Sequence, residues 1–251
     1  MKSAYLTDIG RIRPVNEDRV QVESLQSGFY LAVVADGMGG HQAGETASQT
    51  AVEQIIASLQ SVHKEMSIGQ LEQSVKDAIL KANHEIYTIA SSQDQLRGMG
   101  TTVDVVLAAD HFIIVGHIGD SRVYKLSEGN LRQLTEDHSF VNELVKSGQI
   151  SSEEAIHHPR RNVVTRALGT EPHVEPVIQH LYWNEEDILL LCSDGLSNMV
   201  ESEDLLRILA GENNLEGKAR ELVRLALEEG GDDNISAALL WNVPGDQEGK
   251  G

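Results

Sequence analysis

One stretch constrains this chain most: Val33-Val34-Ala35-Asp36-Gly37-Met38-Gly39-Gly40-His41. The apolar run 29–35 drives directly into a carboxylate and then a glycine cluster. Runs of this length, rich in β-branched residues and bounded by glycine, form buried strands. A carboxylate at the mouth of such a strand is held rigidly. Glycines beside it let a ligand approach the backbone. The design recurs: run 112–119 ends in Asp120, and run 187–193 ends in Asp194-Gly195. A fourth acidic site, Asp232-Asp233-Asn234, directly precedes the apolar run 235–241. Strands that deliver carboxylates to one end of a sheet build a site for hard cations.

Between these sites the pattern alternates in type. Residues 3–24 read as strand, turn and strand, the turn being 10–18. Strand 29–35, ending at Asp36, follows. Ala43, Ala47, Ala51, Ile55 and Leu59 recur every four residues, one face of a helix. Ser67 and Gln70 carry a capping-box signature ahead of a second helix with Leu71, Val75, Ile79, Ala82 and Ile86 on one face. Gly98-Met99-Gly100-Thr101-Thr102 breaks that periodicity. Strands 103–109, 112–118, 122–126 and 131–135 come next, separated by turns too short for helical crossovers, so they pair as antiparallel hairpins. Residues 137–168 change texture to short helical pieces broken by Gly148 and Pro159. Strands 174–182 and 188–192, helices 203–210 and 215–228, and a strand 235–241 complete the series. No repeat or linker divides the chain, so residues 1–243 read as one domain. The small polar tail 244–251 is expected to be disordered. Several strands look buried on both faces, which calls for helices outside. Pattern alone leaves a helix-flanked sandwich and a mixed open sheet both standing, and the hairpin cluster favours the sandwich.

The totals exclude several classes. The chain has 251 residues and a formal charge of −19, from 20 basic and 39 acidic side chains. Phosphate backbones demand basic footprints, so nucleic acid is not an expected partner. No run of about 18 apolar residues exists to span a membrane, and the first residues lack an apolar secretory core. The single cysteine, Cys192, permits no intrachain disulfide and fits a reducing compartment; a cytoplasmic location is expected.

Taken singly, an Asp-Gly pair is most simply a turn. Three independent strand-edge carboxylates, Asp36, Asp194 and Asp233, each beside Gly or Asn, are harder to dismiss. An all-oxygen set suits Mg²⁺ or Mn²⁺ rather than zinc. Arg13, in the turn with Glu17 and Asp18, is either a bidentate phosphate ligand or an ion-pair partner. Arg160, Arg161 and Arg166 form a local basic cluster that could contact an anionic substrate, although a solvated face also explains them. Other phosphate chemistries fail on spacing. A cysteine-phosphatase loop needs Arg six residues after Cys, and Asn198 stands there. An aspartyl nucleophile needs Asp-x-Asp, and Gly37-Met38 follows Asp36. No nucleotide P-loop is present. Asn83-His84-Glu85 falls within a helical face.

The ordered set Asp8-Ile9-Gly10-x-x-Arg13-x-x-Asn16-Glu17-Asp18, Val34-Ala35-Asp36-Gly37-Met38-Gly39-Gly40-His41, Met99-Gly100-Thr101-Thr102, Gly119-Asp120-Ser121-Arg122, Leu191-Cys192-Ser193-Asp194-Gly195-Leu196 and Gly231-Asp232-Asp233-Asn234 resembles the bacterial metal-dependent protein phosphatases of the protein phosphatase 2C type. The resemblance spans residues 3 to about 243. It implies an α+β fold: a central antiparallel β-sandwich flanked on both outer faces by pairs of helices. It implies a centre of two Mn²⁺ or Mg²⁺ ions with a weaker third. By the same resemblance, Asp36 bridges two ions, the Gly37 carbonyl binds one, and Asp194 and Asp233 hold the other. Asp120 with Asp194 makes the third site, Glu17 and Asp18 act through waters, and Arg13 takes the phosphate. Residues 137–168 become a flap beside the site. Many eukaryotic relatives carry His where this chain has Met38, which leaves the general acid open among a metal-bound water, His41, His157 and His158.

The implied activity is hydrolysis of phosphoserine and phosphothreonine in proteins by a monomer, opposing a serine/threonine kinase. The catalytic group is Arg13, Asp36 and Asp194. The rival reading is a catalytically silent phosphoprotein-binding module on the same fold, whose signature would be a missing metal carboxylate.

Overall fold

The computed structural model describes residues 1–39 and 42–243; His41 and the tail 244–251 lie outside the described residues. Two antiparallel sheets carry the fold. The first has the order β1-β11-β10-β7-β8, formed by β1 (Lys2–Asp8), β11 (Ile235–Trp241), β10 (Ile188–Cys192), β7 (Arg122–Ser127) and β8 (Asn130–Gln133). The second has the order β2-β3-β5-β6-β9, formed by β2 (Asp18–Ser24), β3 (Tyr30–Met38), β5 (Val103–Ala108), β6 (Phe112–Ile118) and β9 (Val177–Tyr182).

The two-faced burial expected of the apolar runs is resolved strand by strand. Successive side chains of a strand point to opposite faces. In β3, Ala32 and Val34 enter the core between the sheets, while Leu31, Val33 and Ala35 face outward into a helical layer. In β10, Leu189 and Leu191 face the inter-sheet core, and Leu190 and Cys192 face the opposite helical layer. Helices α1 (Ala43–Leu59) and α2 (Ile68–Ser92) cover the second sheet through Ala47, Ile55, Val75, Ile79 and Ile86. Helices α6 (Ser202–Ala210) and α7 (Leu215–Glu228) cover the first through Leu205, Leu209, Leu222 and Ala226. The α-β-β-α order is the sandwich that the hairpin cluster favours. The capping box at Ser67 is formed, with Gln70 N–H donating to Ser67 Oγ at 3.3 Å and Ser67 N–H donating to Gln70 Oε1 at 2.8 Å.

Several boundaries differ from the sequence reading. Strand β3 does not stop at Asp36 but continues through Gly37 and Met38. These two residues pair with β4 (Gly100–Thr101), so the Gly98–Thr102 break is also a short strand. Glycine permits this because a Cβ on Gly37 would overlap the Gly44 carbonyl and lie 2.6 Å from the Glu17 carbonyl. The glycine thus admits the start of α1 instead of ending the strand. Strand β9 begins only at Val177, directly after Pro176, which has no N–H to donate. A single helical turn, α5 (Asp194–Ser197), follows β10. The segment between β8 and β9 contains α3 (Phe140–Lys146) and α4 (Ser152–Ile156) and is stitched at its base by the Ser139–Val164 and Thr101–Leu168 bridges. Among the described residues, no helix is long and apolar enough to cross a membrane.

Gly116 marks where α2 seats on its sheet. A Cβ there would lie 2.7 Å from Ile79 Cδ1 and 2.8 Å from Val75 Cγ1. Gly116→Val is expected to lift α2 from the sheet and lower unfolding free energy by about 1–3 kcal/mol in urea titration.

Candidate active site

Thr101 and Thr102 hold Asp36 from behind. Thr102 N–H and Thr101 Oγ1–H both donate to the Asp36 carbonyl at 2.9 Å, and Asp36 N–H donates to Thr102 Oγ1 at 3.1 Å. Thr102 Oγ1 also meets Ser121 Oγ at 2.6 Å, beside Asp120. Across the β2–β3 ladder, Asp36 sits directly opposite Asp18. The backbone bearing the central carboxylate is therefore fixed by side chains of two further motifs, Gly100-Thr101-Thr102 and Asp120-Ser121-Arg122.

The turn holding Arg13 is fastened to the other sheet by Asn234. Its Oδ1 accepts from Glu17 N–H at 2.8 Å, and its Nδ2 donates to the carbonyls of Ile9 at 2.8 Å and Val15 at 3.0 Å. Gly195 packs so closely against Asn234 that a Cβ would overlap the Asn234 carbonyl. Sequence reasoning quoted Asn234 within a motif without assigning it this role. An amide following two aspartates was the available signal, since only an amide side chain can both accept and donate here.

These devices bring Asp36, Gly37, Asp120, Asp194 and Asp233 to one cleft of about 310 Å³, with Arg13 and Glu17 also in its wall and Asn162 and Val164 reaching it from the 137–168 segment. Asp18 does not reach the cleft. It is 1 % exposed and accepts from Ser193 Oγ at 2.7 Å. Arg13 is ion-paired with Asp233 at 2.6 Å, yet 46 % of its side chain stays exposed at the rim. Arg160 lies 3.6 Å over the Phe140 ring, Arg161 and His157 line a neighbouring groove, and Arg166 is exposed. His158 accepts from Arg160 N–H. The cleft lining contains Met38 and no histidine among the described residues.

The electrostatics follow from crowding. Burial, then the neighbouring Asp18, Asp194, Asp120 and Asp233, push the Asp36 carboxyl well above the usual range. Burial, then Asp233, also raise the Asp194 carboxyl. Asp18 and Asp120 are each pushed up to about 7, again chiefly by burial. Asp18 Oδ1 and Glu17 Oε1 are buried without a hydrogen-bond partner. One arginine cannot neutralise this group, and unpaired buried charge is costly. The donors are all oxygen, which fits Mg²⁺ or Mn²⁺. Among the described residues, no three His, Cys, Asp or Glu side chains close around a single point. The carboxylates ring the cleft instead, which suits a cation that keeps several waters and takes few carboxylates. Cys192 is fully buried, and burial pushes its thiol upward, so it offers no nucleophile.

A helix-flanked sandwich that gathers aspartates in one cleft with an arginine at its rim defines a class of cation-dependent phosphate chemistry. The chain belongs to the protein phosphatase 2C family, whose model matches residues 13–239. It is similar to the serine/threonine phosphatase stp of Listeria monocytogenes, 40 % identical over 240 residues that cover 96 % of this chain and 95 % of the relative. The solved Streptococcus agalactiae serine/threonine phosphatase superposes with a TM-score of 0.91 at 37 % identity, covering 97 % of this chain and 99 % of that one. The catalytic domain of the serine threonine protein phosphatase PstP, solved with two manganese ions, has a TM-score of 0.82 at 37 % identity and covers 95 % and 96 %.

Two predictions follow from this geometry. Asn234→Ala leaves Glu17 N–H and two carbonyls without their partner, at about 1–3 kcal/mol per buried group; the urea midpoint should fall accordingly. The raised carboxyls of Asp18, Asp36, Asp120 and Asp194 bind more protons in the folded than in the unfolded chain between about pH 4 and 7, so their contribution to stability falls as pH rises through that window. The cation-free chain should therefore lose stability from these groups between pH 5 and pH 7.5, and Mg²⁺ or Mn²⁺ should restore it. Urea midpoints at both pH values, with and without cation, check this.

Proposed function

We propose that the chain is a Mn²⁺- or Mg²⁺-dependent phosphatase hydrolysing phosphoserine and phosphothreonine in proteins. One observation carries the reading: four aspartates, Asp36 within β3 and Asp120, Asp194 and Asp233 beside three further strands, line one cleft with Arg13 at its rim. Asp36, the Gly37 carbonyl, Asp194 and Asp233 would hold two ions, and Asp120 with Asp194 a weaker third. When bound, the ions lower the pKa of water and offset phosphoryl charge.

The chain's own residues then have distinct tasks. Arg13, paired with Asp233 at the cleft rim, orients the phosphoryl group. Glu17 and Asp18 hold ordered water around the ring, Glu17 from the cleft wall and Asp18 from beneath. The attacking water enters in line with the leaving oxygen, and the described cleft lining offers no Ser, Cys or His nucleophile. With no histidine in the described lining, the departing alkoxide takes its proton from water.

Residues 1–243 act as one catalytic domain, with 137–168 as a flap. A groove of about 680 Å³ beside the flap shares Asp120 and Asp194 with the cleft, and Val145, Ile156 and Met199 line it. The polypeptide flanking the phosphorylated residue lies there. The physiological counterpart is a serine/threonine kinase, acting in the cytoplasm, and the phosphatase works as a monomer. A silent binding module is disfavoured, because no implied carboxylate is missing.

The test is phosphate release from a phosphothreonine peptide with Mn²⁺, Mg²⁺ or EDTA. Activity should require a cation. Asp36→Ala and Asp194→Ala should each cost more than the roughly 10–100-fold typical of losing an outer-shell partner, while Asp120→Ala should weaken turnover without abolishing it. Full activity in EDTA, or in both Asp36→Ala and Asp194→Ala, would overturn the reading.

A further inference from the structure

His138 stands apart from the ring of carboxylates, yet it grips the backbone just before one of them. Gly119 N–H donates to His138 Nδ1 at 3.1 Å, and His138 N–H donates to the Gly119 carbonyl at 2.7 Å. Gly119 has φ +119°, and a Cβ on it would lie 2.5 Å from the Thr102 side chain. The Gly119-Asp120 turn is thus wedged between Thr102, which holds Asp36, and His138. The His138 carbonyl also accepts from Thr165 N–H at 2.8 Å. One residue therefore joins both ends of the 137–168 segment to the turn that carries Asp120.

His138 has a rigid backing. Its ring lies 4.8 Å from the His117 ring, centroid to centroid, at 34°. His117 is 1 % exposed and engaged at both nitrogens, with Nδ1 2.8 Å from Asp104 Oδ1 and Nε2 2.9 Å from the Glu136 carbonyl. A carbonyl only accepts, so Nε2 carries a proton, and the ring orientation is fixed. Asp104 and His117 face each other across β5 and β6. Their positions fall on the inter-sheet face, where Val106 and Val115 further along the same strands are apolar. Apolar side chains would fill that place at lower desolvation cost. The polar pair earns its position through what it supports, the start of the flap at Glu136 and the ring of His138. Burial, His117 and Arg166 push the His138 imidazole down to about 4, which leaves Nδ1 free to accept at neutral pH.

We propose that His138 is a positioning residue that couples the seating of the flap to the Asp120 carboxylate, with His117 and Asp104 as its backing. The link to turnover rests on the proposed phosphatase reading; the mechanical link does not. His138→Phe keeps a ring against His117 but removes the acceptor. His138→Asn places Oδ1 where Nδ1 stood.

The first measurement is amide hydrogen exchange on the cation-free chain. His138→Phe should speed exchange about fivefold or more at Gly119, the scale of its lost hydrogen bond to Nδ1, and should speed it at Thr165, whose bond to the His138 carbonyl is kept, through loosening of the flap; His138→Asn should stay within about twofold of wild type. If the phenylalanine variant does not fold, His138→Ala should give the same acceleration. The second is Mn²⁺-dependent hydrolysis of a phosphothreonine peptide, arranged as a double-mutant cycle. kcat/KM of His138→Phe should fall to that of Asp120→Ala, and the double variant should fall no further. Exchange unchanged in His138→Phe, equal losses in the Phe and Asn variants, or additive losses with Asp120→Ala would each overturn the proposal. If wild type hydrolyses nothing while the exchange pattern holds, the phosphatase reading falls and the mechanical tie stands.

Discussion

Mutual repulsion among desolvated carboxylates is the constraint the rest of this structure answers. Burial first, and then the charges of Asp18, Asp36, Asp120, Asp194 and Asp233 on one another, raise several of their proton affinities. A chain holding such a group together must fix each backbone by bonds that do not depend on the carboxylates. Thr101 and Thr102 do so for Asp36, Asn234 for the Glu17 turn, and Asn16, whose Oδ1 accepts from Asp18 N–H, for Asp18. The repulsion is then available to be relieved by cations, which makes ligand binding contribute to folding stability.

The sandwich supplies the stiffness. Each sheet is buried on both faces, so a strand cannot slip register by one residue without exchanging its inter-sheet and helix-facing sets. That lock carries Asp36, Asp120 and Asp194 to the same end of the molecule from strands that never neighbour one another in sequence. Glycines complete it where backbones must touch: Gly37 against the start of α1, and Gly195 against Asn234. Any side chain at either position would force apart segments that define the cleft.

The flap is held differently from the sandwich. Its base is stitched by backbone bonds to Gly119 and Thr101 and by its own Ser139–Val164 bridge, while its outer part presents Ile156 at 63 % exposed. A firmly anchored base with an apolar outer surface suits a wall that meets polypeptide. Arg160 of the local basic cluster stacks on Phe140 and is not part of the cleft wall.

The sequence by itself determined the strand and helix types, the two-faced burial, and the residues able to ligate a cation. Those depend on periodicity and on chemistry carried by single residues: Ala43 to Leu59 could only pack as a helical face, and an Asp after a buried strand is held wherever that strand goes. The ordered motifs also carried the family. Tertiary structure alone decided that β3 runs on through Met38, that Glu17 lines the cleft while adjacent Asp18 lies beneath it, and that Asn234, His117 and His138 are structural hubs. These outcomes depend on which backbone groups from distant segments meet. Asn234 joins Ile9, Val15 and Glu17 across more than 200 positions, and His138 meets Gly119 only because two strand-ending turns share one edge. Local pattern encodes what a residue can bond; only the packed chain selects which partner it finds.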